Sequence, residues 1–239
     1  MNGLDLFAGI GGISLALREW VRPITYCEID PFCQGVLLSR MAEGRLPKAP
    51  IFEDVCSLTG GHFAGDIDII YGGFPCQDIS IAGHGKGLEG ERSGLFFQIV
   101  RLAKEIQPTF IFLENTKGIL SNGGIEVIES LASIGYSTRW ITKSCKEVGS
   151  PQNRERWFCL AYSDGKSGSR LSCGKEEKQP KSRMYIEPKE WDKWPENEST
   201  LLGVDDVLPF RMDRTRALGN SVCIKQAKEA FKILMGIRT

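Results

Sequence analysis

Four groups of residues in this 239-residue chain have the types and spacing that chemistry needs. Cys76 stands in Tyr71-Gly72-Gly73-Phe74-Pro75-Cys76-Gln77, directly after a run carrying Ile67, Ile69 and Ile70. Two glycines and a proline impose an irregular turn, and a thiol in such a turn near helix N-termini gains thiolate character. Read on residues alone, Cys76 is either a nucleophile or one more packed cysteine. Glu114 ends the run Phe110-Ile111-Phe112-Leu113 and so reaches the same sheet edge as Cys76. A carboxyl flanked by apolar residues tends to keep its proton and could donate it to a ring nitrogen; the alternative is an ordinary helix-cap partner. In Gln152-Asn153-Arg154-Glu155-Arg156 the arginines alternate and share one face of extended chain. Fixed guanidinium groups suit carboxylates and phosphates, although a solvated charge cluster has the same pattern. The fourth group is Leu4-Asp5-Leu6-Phe7-Ala8-Gly9-Ile10-Gly11-Gly12, a short strand entering glycines and then a helix. Its backbone can approach a ligand closely and its helix start offers free N–H groups. Glu28, at the end of the next strand, could accept bonds from ribose hydroxyls, and Asp54 could meet an adenine amino group. Ser14 stands where the third glycine of G-x-G-x-x-G would be, which disfavours a nicotinamide enzyme.

The elements that must position these residues alternate in type. Strands are predicted at Leu4–Phe7, Ile24–Glu28, Ile67–Tyr71, Thr109–Leu113, Ser137–Thr142 and Trp157–Tyr162, with helices at Ile13–Trp20, Pro31–Ala42, Leu95–Ile106 and Gly124–Ser133. Ile99, Leu102, Ala103 and Ile106 recur at helical spacing. This alternation predicts an α/β fold: a Rossmann-like, mostly parallel sheet with helices on both faces, binding ligands beyond the carboxyl ends of its strands. Residues 1–162 form the expected main domain. Composition then changes: Ser163–Lys193 is rich in Lys, Glu, Ser and Gly, and residues 163–212 read as a small variable, substrate-reading segment or a solvated loop. Residues 213–239 contain an amphipathic pattern from Ser221 to about Ile237.

Bulk composition narrows the setting. Hydrophobic residues make up 41% and charged residues 25%, ordinary for a globular chain. Lys and Arg (30) balance Asp and Glu (30), so any nucleic-acid contact must come from a local basic face. No apolar run is long enough to span a membrane, and the start of the chain is unlike a signal peptide. A cytoplasmic setting with reduced thiols is expected. The eight cysteines include no C-x-x-C pair and no zinc spacing; six of them read as packing residues, and no metal is expected.

Taken in order, DLFAGIGG, EID, GGFPCQDIS, GLEGERSGLFF, FLENTKGIL, SPQNRERWF and RALGNSV resemble the motif series of cytosine-C5 DNA methyltransferases. They run from Asp5 to Val222, and the ordered set is far more specific than any one member. The resemblance, not composition or spacing, implies the reaction. It implies S-adenosylmethionine as cofactor and S-adenosylhomocysteine as product. Phe7, Ala8, Gly9, Gly11, Gly12, Glu28, Ile29, Asp54, Val55, Pro75 and Leu95 would surround the cofactor, with Asn220 and Ser221 completing the pocket. Cys76 matches the nucleophile, Glu114 the acid, and Arg154 and Arg156 the basic pair that steadies base and acid. Gln77, Ser80, Arg92 and Gln152 would meet the substrate, Gln77 and Ser80 in a segment (Gln77–Gly90) resembling the family's mobile loop and Arg92 at a phosphate.

The implied partner is double-stranded DNA with its target cytosine flipped out. The implied enzyme is a monomer in a bacterial host cell, with a possible cognate restriction endonuclease. Departures from the family pattern are visible. Only about fifty residues separate Tyr162 from Asp213, where the family usually carries a much longer recognition region, and Thr116 follows Glu114-Asn115 where valine is commoner. An RNA cytosine methyltransferase is an alternative, although the Cys-Phe-Thr signature of RNA-directed relatives is absent. A weakly catalytic DNA-binding relative is another.

Overall fold

Along the central strands hydrophobic side chains alternate between two faces, so each strand contributes to two cores at once. In β4 (Ile69–Gly73), Ile69 and Tyr71 enter one core and Ile70 the other; in β5 (Phe110–Thr116), Phe112 opposes Ile111 and Leu113; in β7 (Glu155–Ser163), Phe158 and Leu160 oppose Trp157, Cys159 and Ala161. A strand buried on both faces belongs inside a sheet covered by helices on both sides. The computed structural model has that architecture, and it describes residues 1–75, 94–163, 217 and 221–237.

The remaining strands are β1 (Asn2–Leu6), β2 (Arg22–Cys27), β3 (Ile51–Phe52) and β6 (Tyr136–Ser144), and the sheet order is β3-β2-β1-β4-β5-β7-β6. Strands β1 to β5 are parallel; β7 runs antiparallel to both β5 and β6. On one face lie α1 (Gly12–Leu17), α2 (Pro31–Ala42) and α5 (Ile224–Met235); on the other lie α3 (Leu95–Ile106) and α4 (Gly124–Ala132). The expected α/β sheet with helices on both faces is therefore present.

Local chemistry accounts for the helix limits. Asp30 caps α2, accepting from the amides of Phe32 (2.8 Å) and Cys33 (3.3 Å), and Pro31 fits the first turn. Helix α3 buries Phe96, Ile99, Val100, Leu102, Ala103 and Ile106 along one stripe. Helix α5 ends at Gly236 in the left-handed region.

Several boundaries differ from the sequence expectation. Strand β4 lies two residues later than predicted and runs into Gly72 and Gly73. Strand β5 continues to Thr116, so Glu114 lies within the strand rather than at its end. The two-residue β3 was not expected, and α1 stops at Leu17 rather than Trp20. Cys56, expected as a packing residue, is exposed. Most of residues 163–212 lie outside the described residues. Among the described residues no helix is long and apolar enough to cross a membrane.

Candidate active site

Strand order places the functional edge. The chain leaves β1 toward β2 on one side, while β4 pairs with β1 on the other. A crevice opens at such a switch point, beyond the carboxyl ends of β1 and β4. The glycine turn follows β1, Glu28 follows β2, Phe74 and Pro75 follow β4, and Glu114 sits near the end of β5.

The glycine turn is held from three sides. Phe7 has φ 53° and Gly11 φ 81°, both in the left-handed region, which costs a non-glycine residue such as Phe7 more than it costs Gly11. A Cβ on Gly11 would also meet the Leu46 side chain at 2.7 Å. The Arg40 guanidinium donates to the Ile10 carbonyl. The Glu28 carboxylate, almost fully buried, accepts from the amides of Gly9 (2.6 Å) and Asp30 (2.8 Å). Gly9 itself faces open space, since a Cβ there would meet nothing within 4 Å. Ala8 and Gly12 are buried under the turn, and Ile29 beside Glu28 is 73% exposed. Asp54 accepts from the Cys56 amide at 2.8 Å, and the carbonyl of buried Val55 accepts from Arg101 at 2.9 Å. Val222 lies against Gly12, where an added Cβ would be 3.0 Å from its side chain, so the segment beginning at Ser221 returns to this turn. Pro75 is exposed and Leu95 half-buried at the start of α3.

The acid site is built between β4, β5 and β7. Glu114 pairs in register with Gly73 on one side and Phe158 on the other. Arg156 Nε lies 2.8 Å from Glu114 Oε1, with both side chains nearly buried. Burial raises the Glu114 pKa above its usual value, while Arg156 and then Arg154 pull against that shift. The net direction is upward, so this carboxyl holds its proton more readily than a solvated one. Gly73 makes the room: a Cβ there would stand 2.5 Å from Glu114 Oε2. Burial foremost, and Arg156 next, depress the Arg154 pKa. Gln152 is exposed, its amide donating to the Ser150 hydroxyl at 3.3 Å.

The structure thus brings Glu114 and Arg156 together, with Arg154 near both. It gathers Phe7, Ala8, Gly9, Gly11, Gly12, Glu28 and Val222 at the turn after β1. Cys76, Gln77, Ser80, Arg92 and Asn220 lie outside the described residues.

Two contributions escaped sequence reasoning. Asn115 is buried and its side-chain amide donates to the Phe74 carbonyl at 3.0 Å, tying β5 to the segment that enters Pro75 and Cys76. Gln226 of α5 donates to the Arg154 carbonyl at 2.9 Å. A polar residue next to a candidate acid was a signal for Asn115; nothing local pointed to Gln226, whose partner is 72 residues away.

A doubly wound sheet with a glycine turn and a carboxylate at its switch point defines the Rossmann-like class of nucleotide-binding folds. The family model of C-5 cytosine-specific DNA methylases matches residues 1–230, and the chain belongs to that family. It is 39% identical over 159 residues to the type II methyltransferase M.CviJI of Paramecium bursaria Chlorella virus IL3A, covering 66% of this chain and 42% of that relative. It is 35% identical over 164 residues to the type II methyltransferase M.HhaI of Haemophilus parahaemolyticus, covering 66% and 48%. The chain therefore spans about half the length of the curated relatives it matches. Among solved structures, a protein assigned as a DNA modification methyltransferase of an E. coli prophage aligns with TM-score 0.54 and 29% identity, over 69% of this chain and 47% of that one. Spodoptera frugiperda DNMT2 shares the fold, with TM-score 0.58 and 20% identity over 73% and 53% of the two chains.

Proposed function

We propose that the chain transfers a methyl group from S-adenosylmethionine to carbon 5 of a cytosine flipped out of double-stranded DNA. One observation carries the chemical part: a buried glutamic acid with a raised pKa, held by an arginine, at the sheet edge where β4 runs through Phe74 and Pro75 into Cys76. In this reading the Cys76 thiolate attacks carbon 6 of the ring while Glu114 gives its proton to ring nitrogen 3. Carbon 5 becomes electron-rich and takes the methyl group; loss of the carbon 5 proton then expels Cys76. Arg156 fixes the carboxyl's position, and Arg154 steadies the base beside it. Asn115 holds the start of the Cys76 loop against β5.

The cofactor reading rests on fit. Open space over Gly9, exposed apolar Ile29, and the acids Glu28 and Asp54 at neighbouring strand ends suit an adenosine with its ribose. Phe7, Gly11, Val55, Pro75, Leu95, Asn220 and Ser221 would complete the pocket. The bound cofactor supplies an electrophilic methyl on a sulfonium centre, and S-adenosylhomocysteine is left. Gln77, Ser80, Arg92 and Gln152 would contact DNA, and residues 163–212 would form a reduced target-recognition segment between the catalytic domain (1–162) and the returning C-terminal segment (213–239). We assign the enzyme to a bacterial or viral modification setting, alone or beside a restriction endonuclease, because its relatives are type II methyltransferases of a virus and a bacterium; a monomer is the expected state.

The test is methyl transfer from tritiated S-adenosylmethionine to mixed duplex DNA, with transfer RNA as a parallel substrate. Label should enter DNA, vanish with Cys76→Ser, and fall about 10²–10⁴-fold with Glu114→Gln while cofactor affinity stays near that of the parent. Label confined to RNA, or retained by Cys76→Ser, contradicts the proposal.

A further inference from the structure

Cys145 and Cys223 take no part in that chemistry, yet the fold sets them side by side. Cys145 opens the short 3-10 turn Cys145–Val148 between β6 and β7, and its side chain is fully buried. Cys223 is the N-cap of α5 and is half-buried. Cys223 stands three residues before Gln226, on the same face of the first turn of α5, and the Cys145 sulfur is a hydrogen-bond donor to that Gln226, so the two thiols lie close enough to influence one another. Gln226, one turn into α5, locks the contact: its Oε1 accepts the Cys145 S–H at 3.4 Å, and its Nε2 donates to the carbonyls of Lys143 (2.8 Å) and Arg154 (2.9 Å). The Cys145 amide also donates to the Arg154 carbonyl at 3.0 Å. One thiol therefore belongs to the turn that leads into Arg154 and Arg156. The other follows Ser221 and Val222, the segment resting on the glycine turn.

We propose that Cys145 and Cys223 form a redox couple, joined by peroxide into a disulfide that pins the Arg154 turn to the head of α5. Cysteines scattered in a reducing compartment ordinarily stay thiols, and disulfides there are transient and regulatory. Two features set this pair apart: the thiols come from segments distant in sequence that the Cys145–Gln226 bond brings together, and one is reachable from solvent. Cys223, the accessible member, reacts first. Its thiolate attacks one oxygen of hydrogen peroxide, the O–O bond breaks, and the departing hydroxide takes up a proton to become water, leaving a sulfenic acid. The Cys145 sulfur then attacks the Cys223 sulfur; the S–S bond forms, the S–O bond breaks, and hydroxide leaves with the Cys145 proton as a second water. The two sulfurs together lose two electrons and the peroxide gains them. Burial pushes the Cys145 thiol up to about 11, against the pull of Arg154 and Arg156, so it does not react first; it enters the second step by its position beside α5.

The experiment uses the full chain carrying Cys76→Ser, so that the nucleophile of the proposed methyl transfer cannot consume peroxide. Protein treated with dilute hydrogen peroxide, then alkylated and digested without reductant, should yield a peptide pair linking Cys145 to Cys223. The mass should fall by about 2 Da for the two hydrogens lost, and dithiothreitol should reverse it. The oxidised chain should melt several degrees higher than the reduced one, a gain absent from Cys223→Ser. Recovery of both thiols as alkylated cysteines, oxidation that stops at Cys223 as a sulfinic acid, or a link from either residue to another cysteine would overturn the proposal. None of these readouts depends on methyl transfer, so failure here leaves the proposed activity untouched.

Discussion

Asp5 is a carboxylic acid in the middle of β1 with 1% of its surface exposed. Its Oδ2 accepts from the Ser14 hydroxyl at 2.6 Å, and Ser14 Oγ lies 2.7 Å from the Tyr71 hydroxyl. Tyr26 and Glu28 face the same group. Burial pushes the Asp5 carboxyl to about 8; Glu28 adds to that shift and the Ser14 hydrogen bond opposes it. An acid raised in the folded state binds its proton more tightly than the unfolded chain does. Its contribution to stability is full below about pH 4 and is lost as pH rises toward about 8. Each unit of such a shift is worth about 1.4 kcal/mol. Asp5→Asn, which cannot ionise, should therefore gain in Tm relative to the parent between pH 5 and pH 8. Thermal melts of both proteins across that range check it; a difference that does not change with pH would show that Asp5 titrates like a solvated acid. Ser14, in the sequence a departure from a dinucleotide fingerprint, is in the fold the partner of a buried acid.

At the level of elements, α5 is the piece whose role the sequence left most open. The sequence showed an amphipathic stretch; the structure seats it across α1 and the sheet. Phe231, fully buried, lies with its ring centroid 5.6 Å from Trp20 and 5.2 Å from Phe112, edge-on to the latter. Through Gln226 the same helix holds the Arg154 carbonyl. Phe231→Ala should cost about 3–5 kcal/mol of stability and loosen the arginine turn as well as the helix. Denaturant unfolding measures the first effect; methyl transfer in the soluble folded fraction measures the second. A variant with parental stability would mean that α5 does not carry this core. Helices α2 and α3 were legible to the residue, α2 from its Asp30 cap and Pro31 and α3 from its apolar spacing. Strand ends were less so. Gly72 and Gly73 read as loop, yet they continue β4. A Cβ on Gly72 would lie 2.0 Å from the Leu6 carbonyl oxygen, and one on Gly73 would collide with Glu114, so glycine here serves close packing between strands. Likewise Glu114, Asn115 and Thr116 are polar but remain strand, because β7 offers them partners at Phe158, Trp157 and Arg156.

For the whole molecule, the balance of 30 basic and 30 acidic residues means that net charge would not draw the proposed DNA substrate. In the proposed function, binding would come from a local basic surface, whose phosphate contacts release counterions. Affinity for duplex DNA should fall steadily as salt rises, giving a negative slope of log affinity against log salt in a fluorescence titration. A flat response would contradict a backbone-dominated interface. The ordered motifs alone pointed to the family, and hydrophobic periodicity alone pointed to a helix-covered, mostly parallel sheet. Both are written in short stretches of chain, where residue type and spacing suffice. The ion pair between Arg156 and Glu114, the space Gly73 leaves for a carboxyl, the Asp5–Ser14–Tyr71 cluster and the meeting of Cys145 with Cys223 are of another kind. Each joins segments far apart in sequence, and whether they touch depends on strand order, register and packing, which no local pattern encodes.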